Sequence, residues 1–115
     1  MSPPLIDPQT FAELQANAGE DFVVELVDTF AGEAPQMLAE LREAHAAGAA
    51  DAFRRAAHSL KSNSNTFGAS RLAELARGLE LGGMPAGTGP IDGLAEELLR
   101  SIEALRQMAR GAAGG

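Results

Sequence analysis

The chain has 115 residues, 45% of them hydrophobic, with no Cys, Trp or Tyr and a formal net charge of −7. That length suits one domain with a modest core, expected here to span residues 1–115, and not two. The missing cysteines exclude disulfides and thiolate metal sites, and the acidic balance argues against nucleic acid or anionic membrane as generic partners. No apolar run approaches the roughly 18 residues of a membrane span. The N-terminus lacks the basic and apolar regions of a signal peptide. The expectation is a cytoplasmic protein without membrane insertion. The apolar residues are mostly Ala and Leu with five Phe, which suits close-packed helices better than a β-sandwich.

In chain order, Asp7-Pro8 opens the first helix, with Asp as N-cap and Pro at the first helical position. Phe11 and Leu14 give it one apolar side, and it ends over Asn17 to Gly19, so it covers about 8–17. The second spans about 20–47, where Phe22, Leu26, Phe30, Met37, Leu38 and Leu41 recur near helical spacing. Pro35 should kink it, or split it in two. Gly48 marks the next stop, and Asp51 is placed to cap a third helix over 51–67 that ends near Gly68. A fourth, over 70–81, carries Leu72, Leu75, Leu79 and Leu81. Residues 82–90 hold four Gly and two Pro and read as a loop. The last helix runs over 91–109 on Leu94, Leu98, Ile102 and Leu105, and 111–115 reads as a flexible tail. The fold class is all-α: an antiparallel up-down four-helix bundle with a short additional N-terminal helix.

One helix face carries chemistry. Between Asp51 and Arg71 one acid stands against Arg54, Arg55, Lys61 and Arg71, a basic segment in an acidic chain that points to a specific anionic partner. With His58 at zero and about 100° per residue, Asn65 lies near −20°, Arg54 near −40°, Ser62 near +40°, Arg55 near +60° and Lys61 near −60°. Leu60, Phe67, Phe53, Ser64 and Ala57 fall on the other side and hold the helix to the bundle. A neutral imidazole is a nucleophile able to form a covalent adduct. Phosphoryl transfer asks little more of a protein than in-line positioning and charge stabilisation. Lys61, one turn along, is within reach of a phosphoryl group on His58. A surface histidine near cations is nevertheless more often simply solvated, so this spacing alone does not assign a function.

The run Ala57-His58-Ser59-Leu60-Lys61-Ser62-Asn63-Ser64-Asn65-Thr66-Phe67-Gly68-Ala69 closely resembles the motif of histidine-containing phosphotransfer (HPt) domains. That motif reads roughly His-x-Leu-Lys-Gly-Ser-Ser with a Gly ten residues after the His. Leu72, Leu75 and the pair Leu79-Glu80 match the family's following helix, and Phe22 to Leu41, with Glu33-Ala34-Pro35, its second. The resemblance covers about residues 5–81, and more loosely the last helix. It implies that His58 accepts the phosphoryl group and that Lys61 contacts it. Arg54, Arg55, Ser62, Asn65 and Gly68 are then candidates for phosphate or partner contact, Gly68 being small for helix packing or partner approach. It implies receiver domains of response regulators or hybrid histidine kinases as partners, Mg²⁺ carried by the receiver rather than by this chain, and a carrier without its own ATP site. Ser62 stands where the family usually has Gly and Asn63 where it usually has Ser; the first departure implies altered partner preference. Ala76 replaces a frequent Cys.

Rival readings are a non-catalytic helical adaptor that binds a receiver or kinase, and a domain of a larger sensor kinase. His45, near a helix end, reads as solvated or C-capping. A metal site from His45 and His58 lacks ligand spacing. Ser64 reads as a small core residue bonding backbone. Glu33, Glu40, Glu43, Glu96 and Glu97 read as exposed helix faces. The 82–90 segment lacks the Gly-Lys-Ser/Thr ending of a phosphate loop. No surface stripe evident in the sequence sets an oligomeric state.

Overall fold

The computed structural model describes residues 4–114. They form five α-helices, α1 (Pro8–Ala18), α2 (Glu20–Ala47), α3 (Ala50–Phe67), α4 (Ser70–Gly82) and α5 (Gly89–Gly114), and no strand is found among the described residues. Helices α2 to α5 close a ring: α2 packs on α3, α3 on α4, α4 on α5 and α5 back on α2, while α1 lies against α2 and α3. Side-chain pairs give the directions. His45 faces Phe53 near the α2–α3 turn and Phe30 stacks on Phe67 at the far end, so α2 and α3 run antiparallel. Arg42–Asp92 and Arg106–Asp28 mark the same relation between α2 and α5.

Local chemistry accounts for most of the boundaries. Asp7 caps α1: its Oδ1 accepts from the Gln9 amide at 3.2 Å and its Oδ2 from Thr10 Oγ1 at 2.7 Å. Gly48 and Gly68 end α2 and α3 in the left-handed region, at φ 67° and 78°, where a side chain is costly and glycine is not. The N-cap of α3 is Ala49 and not Asp51, which sits in the first turn; there its charge favours the helix N-terminus without a capping bond. The expected break at Pro35 does not occur: α2 is one helix with Pro35 inside it. Pro35 points outward while Phe30, Ala34 and Leu41 are buried on either side of it, so core packing holds both halves across the missing backbone bond.

The core is built from one stripe of each helix: Phe11 of α1, Val23, Val27 and Phe30 of α2, Phe53 and Leu60 of α3, Leu72 and Ala76 of α4, Leu94 and Leu105 of α5. Phe22, expected on the apolar stripe of α2, is instead half exposed because Val23 and Val27 take the inward positions. Leu75 and Leu81 of α4 are exposed as well. Helix α5 starts two residues early at Gly89 and continues past 109 to Gly114. The loop is thereby shortened to 83–88, and the tail expected over 111–115 is helical through Gly114. Gly115 lies outside the described residues.

Candidate functional site

The α3–α4 hairpin turns at Gly68 and Ala69, and residues equally far from that turn come side by side. His58 is ten residues before Gly68, and Glu80 is eleven after Ala69. Across that register Glu80 Oε2 lies 2.6 Å from His58 Nδ1, and Glu80 Oε1 lies 2.7 Å from Lys61 Nζ. One carboxylate thus joins the two side chains that the sequence singled out. A carboxylate oxygen only accepts, so Nδ1 carries the proton of this bond. The lone pair of the neutral ring then sits on Nε2. The His58 side chain is 57% exposed and Glu80 only 11%, so the carboxylate forms the floor of the site and the imidazole its rim. Lys61's ammonium, and after it the His58 imidazole, hold the Glu80 carboxyl below the usual carboxylate range.

The remaining candidates are less tightly gathered. Ser62 and Asn65 are exposed on α3. Arg54 leans toward Asp51, with a closest approach of 3.9 Å. Arg55 Nε donates to the Asp51 carbonyl at 3.4 Å, and Arg55 lines a groove of about 530 Å³ between α2 and α3 with Glu40, Glu43 and Ser59. Both arginines therefore point toward the start of α3. Gly68 is buried beneath α1: a Cβ there would lie 3.0 Å from Thr10 Cβ and 3.1 Å from the Asp7 carbonyl oxygen. The Asp7 amide donates to the Gly68 carbonyl at 2.7 Å. Ten residues of helix separate it from His58 by about 15 Å. Its small size serves the packing of α1 and lies remote from a phosphoryl group on His58.

Three other side chains have definite places in the structure. Ser64 is fully buried and its Oγ donates to the Leu60 carbonyl at 2.6 Å, the core role expected. His45 is neither solvated nor a helix cap: its Nε2 donates to the Pro85 carbonyl at 2.8 Å and ties the 83–88 loop to α2. Glu97, read as an exposed face, is 3% exposed and lies between Arg71 at 3.6 Å and Arg100 at 3.8 Å. The missed residue of greatest consequence is Glu80, which entered the sequence reading only within the pair Leu79-Glu80. The hairpin count about Gly68 and Ala69 is the signal that would have found it. Among the described residues no group of three or more His, Cys, Asp or Glu gathers as a metal cluster. No helix among them is long and apolar enough to cross a membrane.

Comparison with known proteins agrees with this geometry. The family model of the Hpt domain matches residues 25–108. Among solved structures, histidine-containing phosphotransfer protein B (HptB) from Pseudomonas aeruginosa PAO1 is similar at a TM-score of 0.73 and 31% sequence identity, with 96% of each chain covered. No curated protein matches the sequence. The chain is a phosphotransfer signalling protein of the two-component kind: it belongs to the Hpt domain family.

Proposed function

We propose that His58 accepts a phosphoryl group at Nε2 from the aspartyl phosphate of a receiver domain and passes it to an aspartate of another receiver. The observation that carries this reading is the 2.6 Å bond from His58 Nδ1 to Glu80 beneath an outward-facing ring. It supports a fixed tautomer whose nucleophilic nitrogen faces an approaching partner. In the forward step Nε2 attacks phosphorus, the Nε2–P bond forms, and the bond from phosphorus to the aspartate oxygen breaks, freeing the carboxylate. The ring then carries positive charge, which the Glu80 carboxylate stabilises, while Lys61 supplies a cation for the phosphoryl oxygens. Ser62, Asn65, Arg54 and Arg55 form the surrounding partner surface. Transfer onward is the reverse reaction on a new aspartate.

The partners are receiver domains of response regulators or hybrid kinases, in the cytoplasm, and the Mg²⁺ of the reaction resides on the receiver. The protein acts as a carrier and takes its phosphoryl group from a phosphorylated protein rather than from ATP. We also read the ring of α2 to α5 as an up-down four-helix bundle with α1 as the additional helix; the antiparallel side-chain pairs support this. The test is to mix the protein with a ³²P-labelled receiver and follow the label. The parent becomes labelled and His58→Gln does not. Equal labelling of His58→Gln overturns the assignment.

A further inference from the structure

Helix α5 carries an outward feature that phosphoryl transfer does not use. Leu99, at its middle, is 70% exposed, the most exposed large hydrophobic residue among those described. It stands as a ridge between two concavities. One, of about 280 Å³, is apolar and runs along the α2–α5 seam past Pro35, Leu38 and Ile102. The other, of about 430 Å³, is floored by Leu5 and Ala104. A ridge beside a hollow on one face is the shape that two copies of a surface can share.

The charges of the same stripe are arranged to match. With Leu99 at zero and about 100° per residue, Asp92 and Arg110 lie near +20°, Glu103 near +40°, Glu96 near +60° and Arg106 near −20°. Along the stripe the acids Asp92, Glu96 and Glu103 come first and the bases Arg106 and Arg110 last. Acids early and bases late also complement the helix dipole, and that accounts for the charges taken singly. It does not account for an exposed leucine at their centre. An antiparallel copy centred on Ser101 brings Glu96 of each chain opposite Arg106 of the other. It also brings Asp92 of each, which pairs with Arg42 of its own chain at 2.9 Å, opposite Arg110 of the other, and sets Leu99 of each, close to the axis, against the aliphatic stem of Glu103 of the other. Glu96 has no ion-pair partner among the described residues, and Arg106 only approaches Asp28, at 4.0 Å.

We propose that the α2–α5 face is a two-fold dimer interface whose occupant is a second copy of this chain, α5 packing antiparallel on α5. Size permits it. The 26 residues of α5 make about 39 Å of helix, and two helix diameters make about 20 Å of width. That face of about 800 Å² is what a standard interface buries on each partner. Among the main packings α5 contacts α2 and α4, whereas α3 lies across the ring. The dimer therefore leaves both His58 faces open.

The experiment is sedimentation equilibrium of the full chain between about 1 and 500 μM, the span of a weak to moderate dimer. The expected mass rises toward twice 11.9 kDa. Leu99→Glu stays at the single-chain mass throughout, with an unchanged circular dichroism spectrum. Glu96→Arg and Arg106→Glu each weaken the dimer on the order of tenfold or more through like-charge contacts. The double variant E96R/R106E, and an equimolar mixture of the two single variants, regain it to within about threefold. A parent that remains monomeric up to 500 μM overturns the proposal. So does a dimer that survives Leu99→Glu, or one that E96R/R106E does not restore; a dimer of that last kind uses another surface or register.

Discussion

Two glutamates, one on each side of α4, show how differently this bundle uses a carboxylate opposite cations. Glu80, facing α3, makes contacts of 2.6 and 2.7 Å to His58 and Lys61. Glu97, reaching toward α4 from α5, is more deeply buried, yet its nearest cations stand at 3.6 and 3.8 Å. Its Oε1 and the hydroxyl of Ser101, one turn on, are buried without a hydrogen-bond partner, whereas Glu80 Oε1, though also outside any hydrogen bond, meets the Lys61 ammonium as an ion pair at 2.7 Å. Burial by itself therefore does not mark the acid of the candidate site. Glu80 is distinguished by a 2.6 Å hydrogen bond to the exposed His58 ring and a 2.7 Å ion pair to Lys61, the contacts on which its proposed role rests. Glu97 fastens α5 to α4 and touches no exposed nucleophile.

The sharpest way to break this comparison is to remove each acid in turn. Glu80→Leu is expected to slow phosphoryl transfer to and from a receiver on the order of 100-fold, the upper range for loss of a residue that orients a reactive group. Glu80→Asp recovers part of the rate. Glu97→Leu leaves the transfer rate unchanged and the melting temperature equal or higher, because a buried ion pair is often matched by an apolar replacement. Equal effects of the two leucine variants on transfer would erase the distinction.

The register that selects Glu80 depends on the turn at Gly68, and there a stability measurement sharpens the contrast. Gly68→Ala is expected to cost about 2–3 kcal/mol, from a left-handed φ together with the clash against Thr10 and Asp7. Gly48→Ala, with the same kind of φ but open space around it, should cost only about 1–2 kcal/mol. Denaturant titration of the two variants separates strain from packing. A smaller effect belongs to Lys61: Lys61→Met should slow transfer roughly tenfold, less than Glu80→Leu, because a cation at a partly solvated rim is screened.

The smallest effect is on proton affinity. The Glu80 carboxyl is held low first by Lys61 and then by His58, so its folded value lies below its unfolded one. The stabilisation from this bridge is complete above the unfolded carboxylate range and is lost as pH falls through the lower folded value. Carbon-detected NMR of the glutamate side chains should show Glu80 titrating below the ordinary glutamates. Lys61→Met should move it back toward them. A Glu80 that titrates with the exposed glutamates would mean that the bridge does not persist in solution.

Much of this molecule is legible in one dimension. Apolar spacing, Asp7-Pro8 and the glycines at 48 and 68 delimit the helices to within a residue or two through α4, because caps and periodicity act within a few residues of chain. The same periodicity turns His58 and Lys61 outward and Leu60 and Ser64 inward. The motif from His58 to Gly68 supplies the family, which helix geometry could not. Pro35 misled because a local rule was overridden by packing on both sides of it.

What the tertiary structure decided is partnership. Glu80, Glu97 and Glu96 look alike in sequence, as acids on amphipathic helices. One lies under the exposed ring of His58, one is buried at a seam, and one stands beside an exposed leucine. His45 became a tether for Pro85 only because α2 ends where the 83–88 loop passes. Helical periodicity determines which side of a helix a residue occupies. Which neighbour it meets depends on the register of one helix against the next, and that is set by the turns and by the shape of the core.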